Sequence, residues 1–260
     1  MLRKSLLVAI ATAVLAVTPA NAITYGFPDG DAHPNVGAMA QNTRGDGLRQ
    51  VCSGTLISST VYLTAAHCTD FLRSLGFTTA FVTFDTNFDP RRSKFYEGTM
   101  HQDPAYPGSS NDSHDIAVIV FRRPIKGITP AALPTEGLFD QMNKDGTLNQ
   151  SSRFTAVGYG LSERQTGGGN PTYKDFPYRQ YSISSFNSLN ETWLRLSQNP
   201  ATDDGGTCFG DSGGPNFIGD SNVIGGITIT GDAVCRSTNV TYRTDTRSAR
   251  NFLSQFVPLP

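Results

Sequence analysis

Short apolar segments recur along the chain, each closed by glycine, proline or small polar residues. They are Cys52–Ile57, Val61–Thr64, Ile116–Phe121, Phe154–Leu161, Tyr178–Phe186 and Val223–Thr230. Runs of this length between turn residues predict strands, several of them buried on both faces. Ser58-Ser59-Thr60 joins the first two, and Arg122-Arg123-Pro124 ends the third. The period changes near the C-terminus, where Ala249, Phe252, Leu253, Phe256 and Val257 fall at helical spacing behind Thr246, a residue suited to an N-cap. A glycine-rich segment, Thr166–Pro171, reads as an exposed loop open to proteolytic nicking.

The N-terminus follows a different pattern. Arg3 and Lys4 precede an apolar run at Leu6–Val17, and Ala20-Asn21-Ala22 fits a small-x-small cleavage site. This is the layout of a secretory signal over 1–22, too short in its apolar part to span a bilayer. A secreted, extracellular protein is expected. The chain has 21 basic and 22 acidic residues. Without the signal's two basic residues the net charge becomes −3, which gives no electrostatic case for nucleic acid or for an acidic membrane. The remaining length suits one large all-β domain or two compact barrels.

Chemistry concentrates in Gly210-Asp211-Ser212-Gly213-Gly214-Pro215. Small neighbours let a substrate backbone approach Ser212, and the N–H groups of Gly210 and Ser212 are placed to meet an oxygen that gains charge. A base is offered upstream in Leu63-Thr64-Ala65-Ala66-His67-Cys68, and a carboxylate in His114-Asp115-Ile116-Ala117-Val118-Ile119-Val120. Gly210-x-Ser212-x-Gly214 also fits the nucleophile elbow of α/β-hydrolases, but there the acid and histidine follow the serine. Here His33, His67, His101 and His114 all precede Ser212, which excludes that class. A subtilisin-like order would draw on Asp31 or Asp46, neither in a comparable context. No CxxC or HExxH pattern occurs, so no metal and no cofactor is expected. Four cysteines allow three pairings.

Taken together, the His67, Asp115 and Ser212 motifs resemble the chymotrypsin/trypsin family of serine endopeptidases over nearly the whole chain from Ile23. The resemblance implies an all-β fold of two antiparallel six-stranded barrels: 23–128 the first, 129–146 a connection, 147–245 the second, and 246–258 a helix packed on the second barrel. It implies Ser212 as nucleophile, His67 as base, Asp115 as its orienting carboxylate, and an oxyanion hole from Gly210 and Ser212. It implies bridges Cys52–Cys68 and Cys208–Cys235. It also implies that cleavage after Ala22 frees an Ile23 ammonium to pair with Asp211.

By position in the family pattern, Gly206 and Thr207 form the base of the primary pocket, with Gly231 and Val240 on its walls. Gly206 carries no carboxylate, so an uncharged, small or medium apolar residue is expected before the scissile bond. The family's serine beside the catalytic aspartate is replaced by Ile229, leaving water, Thr228 or Thr230 as substitutes. The expected partners are protein or peptide substrates met by a monomer. The competing reading, a catalytically weak or inactive homologue serving as a binding module, predicts a lost triad residue or oxyanion glycine, and none is lost.

Overall fold

The structure is a computed structural model that describes residues 23–162, 164–165, 172–173 and 175–260. The segment read as a signal, 1–22, and the loop Thr166–Pro171 fall outside the described residues. Among the described residues no helix is long and apolar enough to cross a membrane.

Twelve strands build two closed antiparallel barrels of six. The first contains β1 (Val36–Gln41), β2 (Arg49–Ser58), β3 (Val61–Thr64), β4 (Thr79–Thr83), β5 (Tyr96–Gln102) and β6 (Ala117–Phe121). They close in the order β1-β2-β3-β6-β5-β4. The second contains β7 (Arg153–Gly158), β8 (Gln180–Leu189), β9 (Trp193–Ser197), β10 (Pro215–Ile218), β11 (Ile224–Gly231) and β12 (Thr238–Arg243). Its order is β7-β8-β9-β12-β11-β10, with β10 returning to β7. Closure leaves no open sheet edge in either body, which suits a chain made of short strands.

The first barrel is filled by Tyr62, Leu56, Leu63, Val82 and Ile119, all fully buried. Tyr62 donates its hydroxyl to Gly37 O at 2.8 Å, so its one polar atom is satisfied. Gly54 is required beside it, because a Cβ there would lie 2.6 Å from the Tyr62 ring. A smaller cluster of Phe139, Leu148, Phe154, Leu194 and Leu196 closes one end of the second barrel. Phe139 belongs to α2 (Leu138–Lys144), a short helix inside the connection that the sequence pattern does not reveal.

The C-terminal helix, α3 (Arg247–Leu253), is capped by Thr246, whose Oγ1 accepts from Ala249 N at 3.2 Å. It does not rest on the second barrel alone. The chain after it carries Phe256 to 5.4 Å from the His101 ring of β5, so the C-terminus also ties down the first barrel.

One buried cation joins the two halves. Arg179 pairs with Asp29 at 2.7 Å, both inaccessible to solvent. Its guanidinium also donates to Val36 O and Phe84 O of the first barrel, to Gly30 O, and to the Tyr159 hydroxyl of the second. Removing one member of such a pair leaves an uncompensated charge. Arg179→Ala is expected to lower the free energy of unfolding in urea by about 3–5 kcal/mol, and a loss under about 1 kcal/mol would show that the network is not what joins the barrels.

Candidate active site

Two corners of the fold meet between the barrels. On the first-barrel side, β3 ends at Thr64, Ala65 stays extended, and α1 (Ala66–Ser74) begins, so His67 stands on the first turn of a helix. Across from it, Asp115 precedes β6 behind His114, whose φ of 49° bends the chain sharply. Asp115 Oδ2 lies 2.8 Å from His67 Nδ1, and Oδ1 accepts from the His67 backbone N–H at 2.8 Å. An ionised carboxylate only accepts, so the pair places the ring proton on Nδ1 and leaves Nε2 as the free base. The His67 side chain is 32% exposed and that of Asp115 10%, so the ring is reachable while its partner is screened. Tyr106 lies close by: burial, then the charges of Asp115 and Asp70, push its hydroxyl pKa upward.

The second-barrel side supplies the turn Gly210–Gly214. Gly210 and Gly213 have φ of 96° and 78°, values that favour glycine. Gly213 is also required by contact: a Cβ would sit 2.1 Å from Thr64 Oγ1 and 2.7 Å from Ala65 N. Its absence lets the turn press on the β3–α1 corner that carries His67. Ser212 O accepts from Ser53 N at 2.9 Å, and Cys68 Sγ lies 3.8 Å from the same oxygen. Gly210 O is held by Gln50 Nε2 at 2.8 Å and Ser53 Oγ at 3.0 Å. These two anchors hold the Gly210 carbonyl on the β2 side, and the sequence gives no sign of them. Among the described residues no internal acceptor takes the N–H of Gly210 or of Ser212. Nor is Ser212 Oγ hydrogen-bonded to the His67 ring; catalytic contacts of this kind are often long in the absence of substrate.

The cysteines pair as Cys52–Cys68 and Cys208–Cys235. The first bridge ties β2 to the helix of His67, and the second ties the Ser212 turn to the loop after β11. Sγ of both Cys52 and Cys68 lies within 4.8 Å of a His67 nitrogen, a convergence of possible metal ligands. The disulfide removes both thiolates, so those residues do not fit a metal.

Ile23 and Asp211 are not joined. In the intact chain Ile23 N is a peptide nitrogen without charge, fully buried, and it donates to Gln180 Oε1 at 2.8 Å. Asp211 is buried as well, and its oxygens accept from Gly160 N at 2.8 Å and Cys208 N at 2.9 Å. Gly158 and Gly160 wall it in, since a Cβ on either would meet its carboxyl group. Burial pushes the Asp211 pKa up to about 7, against the pull of the two N–H donors.

The pocket beside Ser212 differs from the sequence reading. It encloses about 230 Å³, and its lining includes Thr207, Phe209, Thr228, Ile229, Gly231 and Asp232. Gly206 and Val240 do not line it. Gly206 is drawn under Thr24 by a 3.0 Å hydrogen bond, and Gln198 stands against it so closely that a Cβ would lie 2.0 Å from Oε1. Gln198, fully buried, also accepts from Thr207 N at 2.9 Å. Val240 points away because strand alternation puts its neighbours Asn239 and Thr241 on the inner face, where both are fully buried. Thr228 does not replace the missing serine at Ile229: its hydroxyl accepts from Asn216 Nδ2 at 3.0 Å. The only hydrogen bonds to Asp115 among the described residues come from His67.

Among the described residues Asp232 is the one ionisable residue lining the pocket. Burial raises its pKa, but the backbone N–H groups of Thr238, Arg236 and Ser237 and the Gln198 amide outweigh this and hold it below the usual carboxylate range. Its role was not legible in sequence, because those four donors come from the far side of the loop and from β9's end.

A collagenase of solved structure, titled HL collagenase, superposes with a TM-score of 0.66 at 19% identity, covering 90% of this chain and 97% of that one. At that identity the likeness speaks for the shared two-barrel fold. The Trypsin family profile matches residues 29–253, from the residue paired with Arg179 through the last residue of α3. With that match spanning both barrels and all three motifs, the chain belongs to the trypsin family of serine proteases.

Proposed function

We propose that this protein is a secreted serine endopeptidase that cleaves peptide bonds through an acyl-enzyme on Ser212. The observation that carries this reading is the 2.8 Å pairing of Asp115 with His67 Nδ1 beside the glycine turn of Ser212. In the first half-reaction Ser212 Oγ bonds to the scissile carbonyl carbon while its proton passes to His67 Nε2. The carbonyl oxygen takes the negative charge and receives the N–H groups of Gly210 and Ser212. The C–N bond then breaks, and the leaving amine takes the proton from His67. Water repeats the sequence on the ester, giving its proton to His67 and restoring Ser212.

Mature protein is expected to start at Ile23. Among the described residues no cation meets the buried Asp211, and Ile23 N already lies inside the protein at Gln180, whose strand pairs with Gly158 beside Asp211. A charge freed at Ile23 would therefore arise close to the carboxylate that lacks one. Pairing the two would stabilise the charged form of Asp211 and fix the turn that carries Gly210. N-terminal sequencing of secreted protein should read Ile-Thr-Tyr-Gly, and a start elsewhere would reject this step.

The pocket favours an uncharged, small or medium apolar residue before the scissile bond. Its volume is modest, Gln198 closes the space at Gly206, and Asp232 is engaged by four donors, three on Oδ1 and one on Oδ2. A peptide-library digest should show cleavage after such residues. Predominant cleavage after arginine would overturn the assignment and point to Asp232.

Asp115→Asn is expected to lower kcat about 10⁴-fold, the loss seen for the same change in a protease with this triad, because the amide favours the wrong ring tautomer. Retention of activity within about tenfold would remove Asp115 from the mechanism. A second expectation concerns pH. In the intact chain the folded pKa of Asp211 lies above the ordinary value of 3.8. Its contribution to stability is therefore complete below that value and lost as pH rises through about 7. In a Ser212→Ala background, urea unfolding of the intact chain relative to Asp211→Asn should become less favourable to the folded state between about pH 5 and about pH 8. A difference that stays flat would show that Asp211 is not a lone buried acid.

A further inference from the structure

A second cavity of about 610 Å³ opens on the other side of Ser212, and it is walled by aromatic rings. Phe71 comes from α1, Phe88 from the loop after β4, Tyr159 from the end of β7, Phe176 from the stretch before β8, and Phe209 from the nucleophile turn. Phe71 and Phe209 leave 47% and 54% of their surface in water. Two exposed rings, gathered in one cleft with three less exposed ones from separate parts of the chain, mark a binding surface.

The cleft is continuous with the proposed active site. Phe209 borders both cavities, Ser212 lines the smaller one, and Gly210 lines the larger. A carbonyl held by the N–H groups of Gly210 and Ser212 therefore sits at the boundary. With the side chain of the acyl residue in the smaller pocket, the amine half of the substrate leaves over Phe209 and Gly210 into the aromatic cleft. Resting on the endopeptidase reading, we propose that Phe71, Phe88 and Phe209 select polypeptides with an aromatic or large aliphatic side chain within the two residues after the scissile bond. Charge does not add to the choice: Arg44, Arg49 and Asp175 all line the cleft, and Arg49 is paired with Asp46 at 2.6 Å, so its charges are mixed.

Contacts with the amine half exist only until that half departs. They accelerate acylation and have no means to affect hydrolysis of the acyl-enzyme. Internally quenched peptides that share one acyl half and carry Phe, Leu, Gly or Lys after the scissile bond separate the two steps. The Phe and Leu peptides should exceed the Gly and Lys peptides in kcat/KM by roughly tenfold, while single-turnover deacylation is the same for all four. Phe71→Ala should reduce the Phe-to-Gly ratio about fivefold or more. Phe88→Ala, outside the helix of His67, should do the same, which guards against a mere shift of that helix. A flat series, or variants that slow the Phe and Gly peptides equally, would overturn the inference and leave the endopeptidase reading intact. Failure to form an acyl-enzyme with any peptide, or with an ester of the same acyl half, would overturn both.

Discussion

The close approach of Ser212–Gly214 to strand β2 and the β3–α1 corner is the contact on which the site depends. It is made of backbone and two polar side chains. Ser53 N meets Ser212 O, Ser53 Oγ and Gln50 meet Gly210 O, and Gly213 has no side chain to hold Thr64 and Ala65 away. The two barrels, which share one continuous cluster of buried apolar residues, thereby bring the turn of Ser212 against the corner that carries His67. On the proposed mechanism neither half carries the chemistry alone. His67 and Asp115 belong to the first barrel, and Ser212 with the Gly210 turn belongs to the second.

Buried charge is handled in two contrasting ways around this contact. Arg179–Asp29 and Arg243–Asp245 are fully buried pairs in which hydrogen bonds also saturate the guanidinium. Both are structural, one spanning the barrels and the other fixing α2 through Asp245 and Phe139 N. Asp211 is different: it is as buried as they are, yet among the described residues it is met by two peptide N–H groups and no cation. An incomplete site of that kind costs stability, and its position directly before Ser212 links the cost to the geometry of the turn.

What was legible in the sequence followed from local constraint. Six of the twelve barrel strands came from apolar runs bounded by turn residues, and the Thr246 cap and the Gly210–Gly214 turn are written in consecutive residues. Two barrels came from the resemblance rather than from periodicity. The pocket was less legible because its walls depend on register between distant strands. Gly206 and Val240 occupy the right places in a linear pattern, but Gln198 covers one and strand alternation turns the other outward. The aromatic cleft escaped for the same reason: its five rings are scattered from Phe71 to Phe209, and only closure of both barrels collects them. Helix α2 was hidden by a connection whose prolines and glycines read as loop.

The central claim is that Ser212 is a nucleophile made reactive by His67 across the barrel interface. Reaction of the chain beginning at Ile23 with a fluorophosphonate, followed by mass mapping of the adduct, tests it most directly. The account predicts one adduct, on Ser212, and its loss in His67→Ala. No adduct on folded protein, or an adduct that persists without His67, would contradict it.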